Sequence, residues 1–169
     1  MKRLFVLLAA ALVCFAGCGS DGSKSGNSSS NNSGAKVTSF AEAIGKEWKL
    51  VEVNVRIDPF HKKVIYDRDH LRKEKIEKTY TLTLTASSIS GTAAPNTYSA
   101  PFRRGQGQAV EILEIRSTKM APIVQPEKLQ EITYFGYLQN VYEWHINHNK
   151  LEFTSKTDAN HQVRLVFEL

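Results

Sequence analysis

The sequence predicts a mainly β domain with one α-helix (α+β), an antiparallel curved sheet or barrel with the helix packed against it. Short segments alternate apolar and polar residues at the period of a strand, and turn-forming residues separate several of them. One later segment instead repeats its apolar residues at helical spacing.

Taken in order, Trp48, Leu50, Val51 and Val53 open the domain as a strand. Tyr80, Leu82 and Leu84 then alternate with Thr79, Thr81, Thr83 and Thr85. Val110, Ile112 and Ile115 make a less regular strand. Tyr142, Trp144 and Ile146 alternate with Glu143 and His145, Leu151 and Phe153 follow, and Val163, Leu165 and Phe167 close the chain. Asn147-His148-Asn149-Lys150 and Asp158-Ala159-Asn160 supply turn chemistry between these last strands. The helical segment starts at Pro126 and Glu127 and places Leu129, Ile132, Phe135, Leu138 and Val141 on one face. That face must be covered, and the sheet is the large apolar surface available. A second, shorter helix is expected between Asp67 and Lys78, where Leu71, Lys75 and Lys78 are spaced for it. Trp48, Phe102, Phe135, Tyr142, Trp144, Phe153 and Phe167 are the expected large core residues.

Before the domain, Lys2 and Arg3 precede a run of about 14 residues that is almost wholly apolar, the n- and h-regions of a secretion signal. A bilayer core needs roughly 20 helical residues, so the run is too short to span it. Phe15-Ala16-Gly17-Cys18 resembles the lipobox of bacterial lipoproteins, with Phe15 where Leu is usual. The resemblance implies that residues 1–17 are removed and that the Cys18 thiol carries a diacylglyceryl group; ordinary secretion with cleavage nearby is the alternative. Cys14 leaves with the signal, so of the two cysteines the mature chain keeps only Cys18 and forms no internal disulfide. Two or three acyl chains, at about 0.8 kcal/mol per buried methylene, hold the membrane effectively permanently. Gly19 follows the cysteine in place of Asp, which by resemblance to enterobacterial sorting directs the protein to an outer membrane where the cell has one.

Residues 18–36 form a tether, because the Ser, Asn and Gly of 19–36 cannot bury enough apolar surface to order. About 17 such residues span roughly 20–25 Å. Residues 37–169 suit one domain. The formal charge of +5 falls to +3 once Lys2 and Arg3 are lost, too little to imply nucleic acid. The basic run 61–75 is laced with acids and reads as a solvated surface.

Candidate chemistry is sparse. His145 and His148 invite a metal, yet on a strand an i, i+3 pair points to opposite faces. Asp67, Asp69 and His70 cluster in a charged connector. No Gly-x-Ser-x-Gly elbow appears, and Gly105-Gln106-Gly107-Gln108 lacks the following helix that a phosphate loop requires. Gly91 and Asn96 read as turn residues, Gly91 by supplying positive φ and Asn96 by tolerating left-handed backbone, while Met120 is expected to fill space between sheet and helix. No catalytic residue, metal site or cofactor is expected.

The stretch 88–102 (Ser88-Ile89-Ser90-Gly91 through Asn96 to Tyr98-Ser99-Ala100-Pro101-Phe102) resembles the Ser-Gly, Gly-Cys-Asn, Tyr-x-Gly/Ala-x-Tyr/Phe core of the META domain, the family of the heat-shock protein HslJ. Thr118-Lys119-Met120-Ala121 resembles its Thr-Lys-Met-Ala block, and Glu131 to Leu138 its Glu-x-x-Phe/Tyr-x-x-x-Leu helix. Residues 141–146 and 151–153 fall where the family places its closing hairpin. Ala94-Pro95 stands in place of Gly-Cys, which excludes a thiol-based role, and 56–78 looks like an insertion. The resemblance implies an incompletely closed β-barrel with one packed helix, in an envelope or stress-linked protein without family catalytic residues. The expected role is a lipid-anchored, non-enzymatic interaction module with unidentified envelope partners; the alternative is a barrel that holds a lipid or other apolar ligand.

Overall fold

The computed structural model describes residues 36–56, 58, 60–73, 77–121, 125–157 and 161–169. The signal, Cys18, the tether up to residue 35 and the Asp158-Ala159-Asn160 turn therefore lie outside the described residues, as does Lys75. Ala35–Leu169 is one compact unit that contains the whole described core, so it carries what it needs to fold independently.

The elements run α1 (Phe40–Ala43), β1 (Glu47–Arg56), β2 (Lys62–Asp67), α2 (Asp69–Lys73), β3 (Thr81–Leu84), β4 (Ser88–Thr92), β5 (Thr97–Arg104), β6 (Val110–Ile112), β7 (Arg116–Ser117), α3 (Glu131–Gln139), β8 (Val141–Asn147), β9 (Lys150–Lys156) and β10 (Gln162–Glu168). The strands form one antiparallel sheet in the order β6-β5-β4-β3-β1-β10-β9-β8, with β2 also on β1 and β7 also on β5. The sheet curls until its end strands approach. Ala109 and Glu143 make an isolated bridge, and the Trp144 N–H donates to the Gln108 carbonyl at 3.0 Å. The barrel is incompletely closed, as the sequence predicts.

Two β-bulges explain local departures from strict alternation. β1 shifts register against β10 between Leu50 and Glu52, leaving Val51 as the extra residue. Trp48 and Leu50 before the bulge and Val53 after it consequently face the same core. A second shift, between Val141 and Glu143, puts Tyr142 out of phase with Trp144 and Ile146. Tyr142 is therefore not a core residue. Its hydroxyl accepts from the Gln162 side chain at 2.8 Å, and the Lys156 ammonium lies 5.1 Å from its ring centroid. Among the other expected core aromatics, Trp48, Phe102, Phe153 and Phe167 are buried, whereas Phe135 and Trp144 are partly buried against the core.

The helix is real but its phase and bounds differ from expectation. It begins after an extended Gln130, so Pro126, Glu127 and Leu129 precede it, and Val141 opens β8. Leu129 is still buried, with the Tyr80 hydroxyl donating to its carbonyl. Tyr134 and Leu138 are the fully buried pair of α3, with Phe135 packed beside them. At 3.6 residues per turn Ile132 points roughly 160° away from Tyr134, and it is 74% exposed.

The connector 56–78 is more ordered than a solvated surface. It adds β2 along the second half of β1, collinear with β3 along the first half. Among its described residues Lys62, Lys63, Arg72 and Lys73 are exposed, whereas Tyr66 and Leu71 reach the core. The expected short helix there is α2.

Before β1, the Ser39 hydroxyl and the Glu42 carboxylate form a reciprocal capping box around α1. Phe40 closes one mouth of the barrel, its ring 5.8 Å from Phe102 and 5.1 Å from Trp144, with the Arg104 guanidinium 4.3 Å above it. The remaining apolar space between Phe40, Ile89, Phe102, Val110, Trp144 and Phe153 has a volume of about 10 Å³.

Candidate functional site

Three of the sequence blocks singled out by their resemblance, 88–102, 118–121 and 131–138, meet where the N-terminus of α3 reaches the β4–β5 turn. That turn, Ala93-Ala94-Pro95-Asn96, contains a cis Ala94–Pro95 peptide and closes with the Ala93 N–H donating to the Asn96 carbonyl at 2.6 Å. Asn96 is 4% exposed, so each of its polar atoms needs a partner. Its Oδ1 accepts from the Thr118 hydroxyl at 2.7 Å and from the Met120 N–H at 2.8 Å. Its Nδ2 donates to Glu131 Oε2 at 2.7 Å and to the Met120 carbonyl at 3.3 Å. Glu131 Oε1 accepts the Asn96 backbone N–H at 3.0 Å. A carboxylate in the first turn of α3 also suits the helix dipole.

Below this clamp lies a cluster of tyrosines. The Tyr98 hydroxyl donates to the Thr81 carbonyl at 2.9 Å and sits 2.9 Å from the Tyr134 hydroxyl. Because Tyr98 has one proton to give, its oxygen accepts the Tyr134 proton. Tyr134 also packs on Tyr80 with ring centroids 4.9 Å apart, and Tyr80 on Tyr66 at 5.8 Å. Burial pushes the Tyr98 and Tyr134 phenols well above the ordinary tyrosine value. They stay neutral and act as hydrogen-bonding core rather than as acids or bases.

Three sequence expectations change here. Gly91 lies inside β4 and has no positive φ; what it provides is space, since a Cβ at this position would stand 2.0 Å from the Thr81 carbonyl oxygen. Asn96 is a buried hydrogen-bond hub at a turn rather than a residue tolerating left-handed backbone. Met120 contributes its backbone to that hub while its side chain is 56% exposed. No sequence pattern distinguishes a buried Asn hub from an ordinary turn Asn, although Glu131 at the helix start was a usable signal for a charged partner.

The remaining candidates stay apart. His145 Nδ1 meets Gln108 Nε2 at 2.9 Å on the outer face of the sheet. His148 and Asn149, both at positive φ, form the two-residue β8–β9 turn, and His148 Nδ1 contacts Asn147 Oδ1. Asp67 Oδ1 accepts the Asp69 N–H at 3.1 Å, and Asp69 pairs with Arg72 at 3.5 Å; His70 lies in α2. Among the described residues no group of three or more His, Cys, Asp or Glu is placed to hold a metal ion. Residues 105–108 form the β5–β6 hairpin turn, with the Gly105 N–H donating to the Ala109 carbonyl at 2.9 Å and Gly107 at positive φ. A surface groove of about 730 Å³ runs past Lys49, Arg68, Arg72, Glu77, Lys78 and Glu168. Its mixed charges select no ligand class, and Arg68 is spent on the Leu50 and Glu77 carbonyls.

A comparison with curated proteins finds no match. Among solved structures, the fold is similar to that of a protein from Burkholderia xenovorans determined by NMR, with a TM-score of 0.51, 17% identity, and coverage of 75% of this chain and 82% of that one. It is also similar to a DUF4847 family protein from Bacteroides vulgatus, with a TM-score of 0.51, 15% identity, and coverage of 75% and 93%. At these identities the likeness concerns the fold alone. The META domain model matches residues 39–167, which include the Asn96–Glu131 clamp, the tyrosine cluster and the closing hairpins. The chain therefore belongs to the META domain family.

Proposed function

We propose that this is a lipid-anchored, non-enzymatic protein of the cell envelope, whose META domain presents a surface to other envelope components. The observation that carries the interaction reading is the use made of the interior. The family's polar residues are consumed in joining helix to sheet, and the apolar space inside the barrel mouth, about 10 Å³, is at most the room of one water. An acyl chain or other apolar ligand has no room there unless Phe40 leaves. The anchor rests on the charged and apolar leader and on Phe15-Ala16-Gly17-Cys18. Gly19 favours an outer membrane where one exists.

Two measurements test this reading. Metabolic labelling with a tagged palmitate is expected to mark the wild type and to miss Cys18→Ser; equal labelling of both removes the anchor. Photocrosslinking in cells from Ile132 on the exposed face of α3, and from the 88–102 segment, is expected to capture discrete envelope proteins. Native mass spectrometry reads the rival ligand barrel. A stoichiometric bound lipid besides the anchor, with no specific crosslinked protein, would overturn the interaction reading.

A further inference from the structure

The β1–β2 hairpin carries an unusual tip. Asp58 accepts the backbone N–H groups of Phe60 at 2.8 Å and His61 at 2.9 Å, and its other oxygen lies 2.7 Å from His61 Nδ1. This Asp-centred turn holds residue 60 in place, and the Phe60 ring is 91% exposed. Nothing in the core competes for the ring. Arg56 and Lys62 face each other across the strand pair on either side of the tip, and Lys63 follows. Val64 in β2 is also exposed. The acids nearby are Asp58, turned into its own loop, and Glu52, which pairs with Lys62 at 3.2 Å. Across residues 56–64, Arg56, Lys62 and Lys63 oppose the single carboxylate of Asp58.

A lone exposed ring is ordinary on a protein surface, but this one stands at a turn flanked by Arg56, Lys62 and Lys63. It is too small to anchor a stable protein interface, which needs about 1,200 Å² of buried surface. It does match a membrane interface, where a ring enters the headgroup–acyl boundary while cations meet anionic headgroups. We propose that the β1–β2 hairpin is a second, reversible membrane contact, with Phe60 entering the interface of an anionic bilayer and Lys62 and Lys63 meeting its phosphates. This builds on the lipid-anchor reading, because a contact this small gains occupancy chiefly from a tether that keeps it near the surface. The tether joins the domain at Val37, which exchanges backbone and side-chain hydrogen bonds with Asn149 in the β8–β9 turn. Arg56 pairs with Gln162, and Gln162 with Lys156, so the tip lies at the opposite end of β9 from that turn. A strand of this length covers about 20 Å, comparable to the reach of the tether.

The test uses residues 19–169 with an N-terminal histidine tag in place of Cys18, held on vesicles containing nickel-chelating lipid so that the tether is kept and the anchor is replaced by a known one. A polarity-sensitive fluorophore is placed at His61→Cys or, for comparison, at Met120→Cys. With about 30% phosphatidylglycerol in the vesicles, the label at 61 is expected to brighten several-fold and that at 120 to stay unchanged. Phosphatidylcholine vesicles, Phe60→Ser, or Lys62→Glu with Lys63→Glu should each return the signal at 61 close to its value in solution. No brightening at 61, equal brightening at 120, or a signal indifferent to Phe60→Ser overturns the proposal. Crosslinks from the tip to one acidic envelope protein, without brightening, would replace the bilayer by that protein. Palmitate labelling fails or succeeds separately, so the anchor and the hairpin contact are distinguishable.

Discussion

At the scale of single residues, the weightiest positions are the small polar ones that let the helix meet the sheet. Asn96 satisfies a hydroxyl, a backbone N–H, a backbone carbonyl and a carboxylate in a buried place. Asn96→Ala leaves these groups short of partners, and at about 1–3 kcal/mol for each buried orphan the expected loss is about 2–4 kcal/mol, measured by urea unfolding. Gly91 acts through absence of volume. Gly91→Ala sets a methyl against the Thr81 carbonyl and should cost at least about 3 kcal/mol, the upper end of ordinary overpacking, because backbone must move. A turn is readable in the sequence at Asn96, though its hydrogen-bond hub is not, whereas Gly91 lies inside β4 and the turn expected there is absent. A hub and a close approach are defined by neighbours 10 to 35 residues away in the chain, such as Thr81 for Gly91 and Glu131 for Asn96.

At the scale of elements, the expected face of α3 is right at Phe135 and Leu138, wrong at Ile132, and omits Tyr134. Counting hydrophobic residues favoured Leu129, Ile132, Phe135 and Leu138, whereas the sheet chose Tyr134, whose hydroxyl finds a partner in Tyr98. A tyrosine counts as half polar in a periodicity reading and as fully buried when its one proton and lone pairs are met. Leu138→Ala is therefore expected to lower stability by about 2–5 kcal/mol, and Ile132→Ala to change it by no more than about 0.5 kcal/mol, in paired thermal melts. α1 is a short element with a large burden. Phe40→Ala should cost about 3–5 kcal/mol and open the barrel mouth, which binding of an environment-sensitive apolar dye would report. The strands were better predicted, because an alternation of buried and exposed side chains is a local property. The bulge residues Val51 and Tyr142 and the added strand β2 were not, since a bulge is set by the partner strand.

For the whole molecule, the joint between α3 and the sheet ties stability to alkaline pH. An unfolded tyrosine ionises near pH 10. The folded Tyr98 and Tyr134 phenols, raised by burial, hold their protons beyond that point. The stabilisation is thus intact below about pH 10 and is lost as the pH rises past it toward the folded values. Denaturant midpoints across pH 8 to about 11 should fall steeply at the top of the range for the wild type. Tyr134→Phe should start lower at neutral pH, for want of its hydrogen bond, and fall less. A profile identical in both would show that Tyr134 does not carry the alkaline loss.

Alternation, helical spacing and motif resemblance by themselves determined the fold class, most strands, the presence of α3 and the META family. They also supplied the signal, Cys18 and the tether, all of which lie outside the described residues and remain proposals. Only the tertiary structure decided which face of α3 is buried, that Gly91 answers to space rather than to positive φ, and that Tyr142 and Met120 are outside the core. It alone revealed β2 and the exposed Phe60 at its start. The physical reason is common to these cases. Periodicity along a chain records which residues prefer burial, whereas packing, register and hydrogen-bond satisfaction depend on which distant segment arrives to cover them.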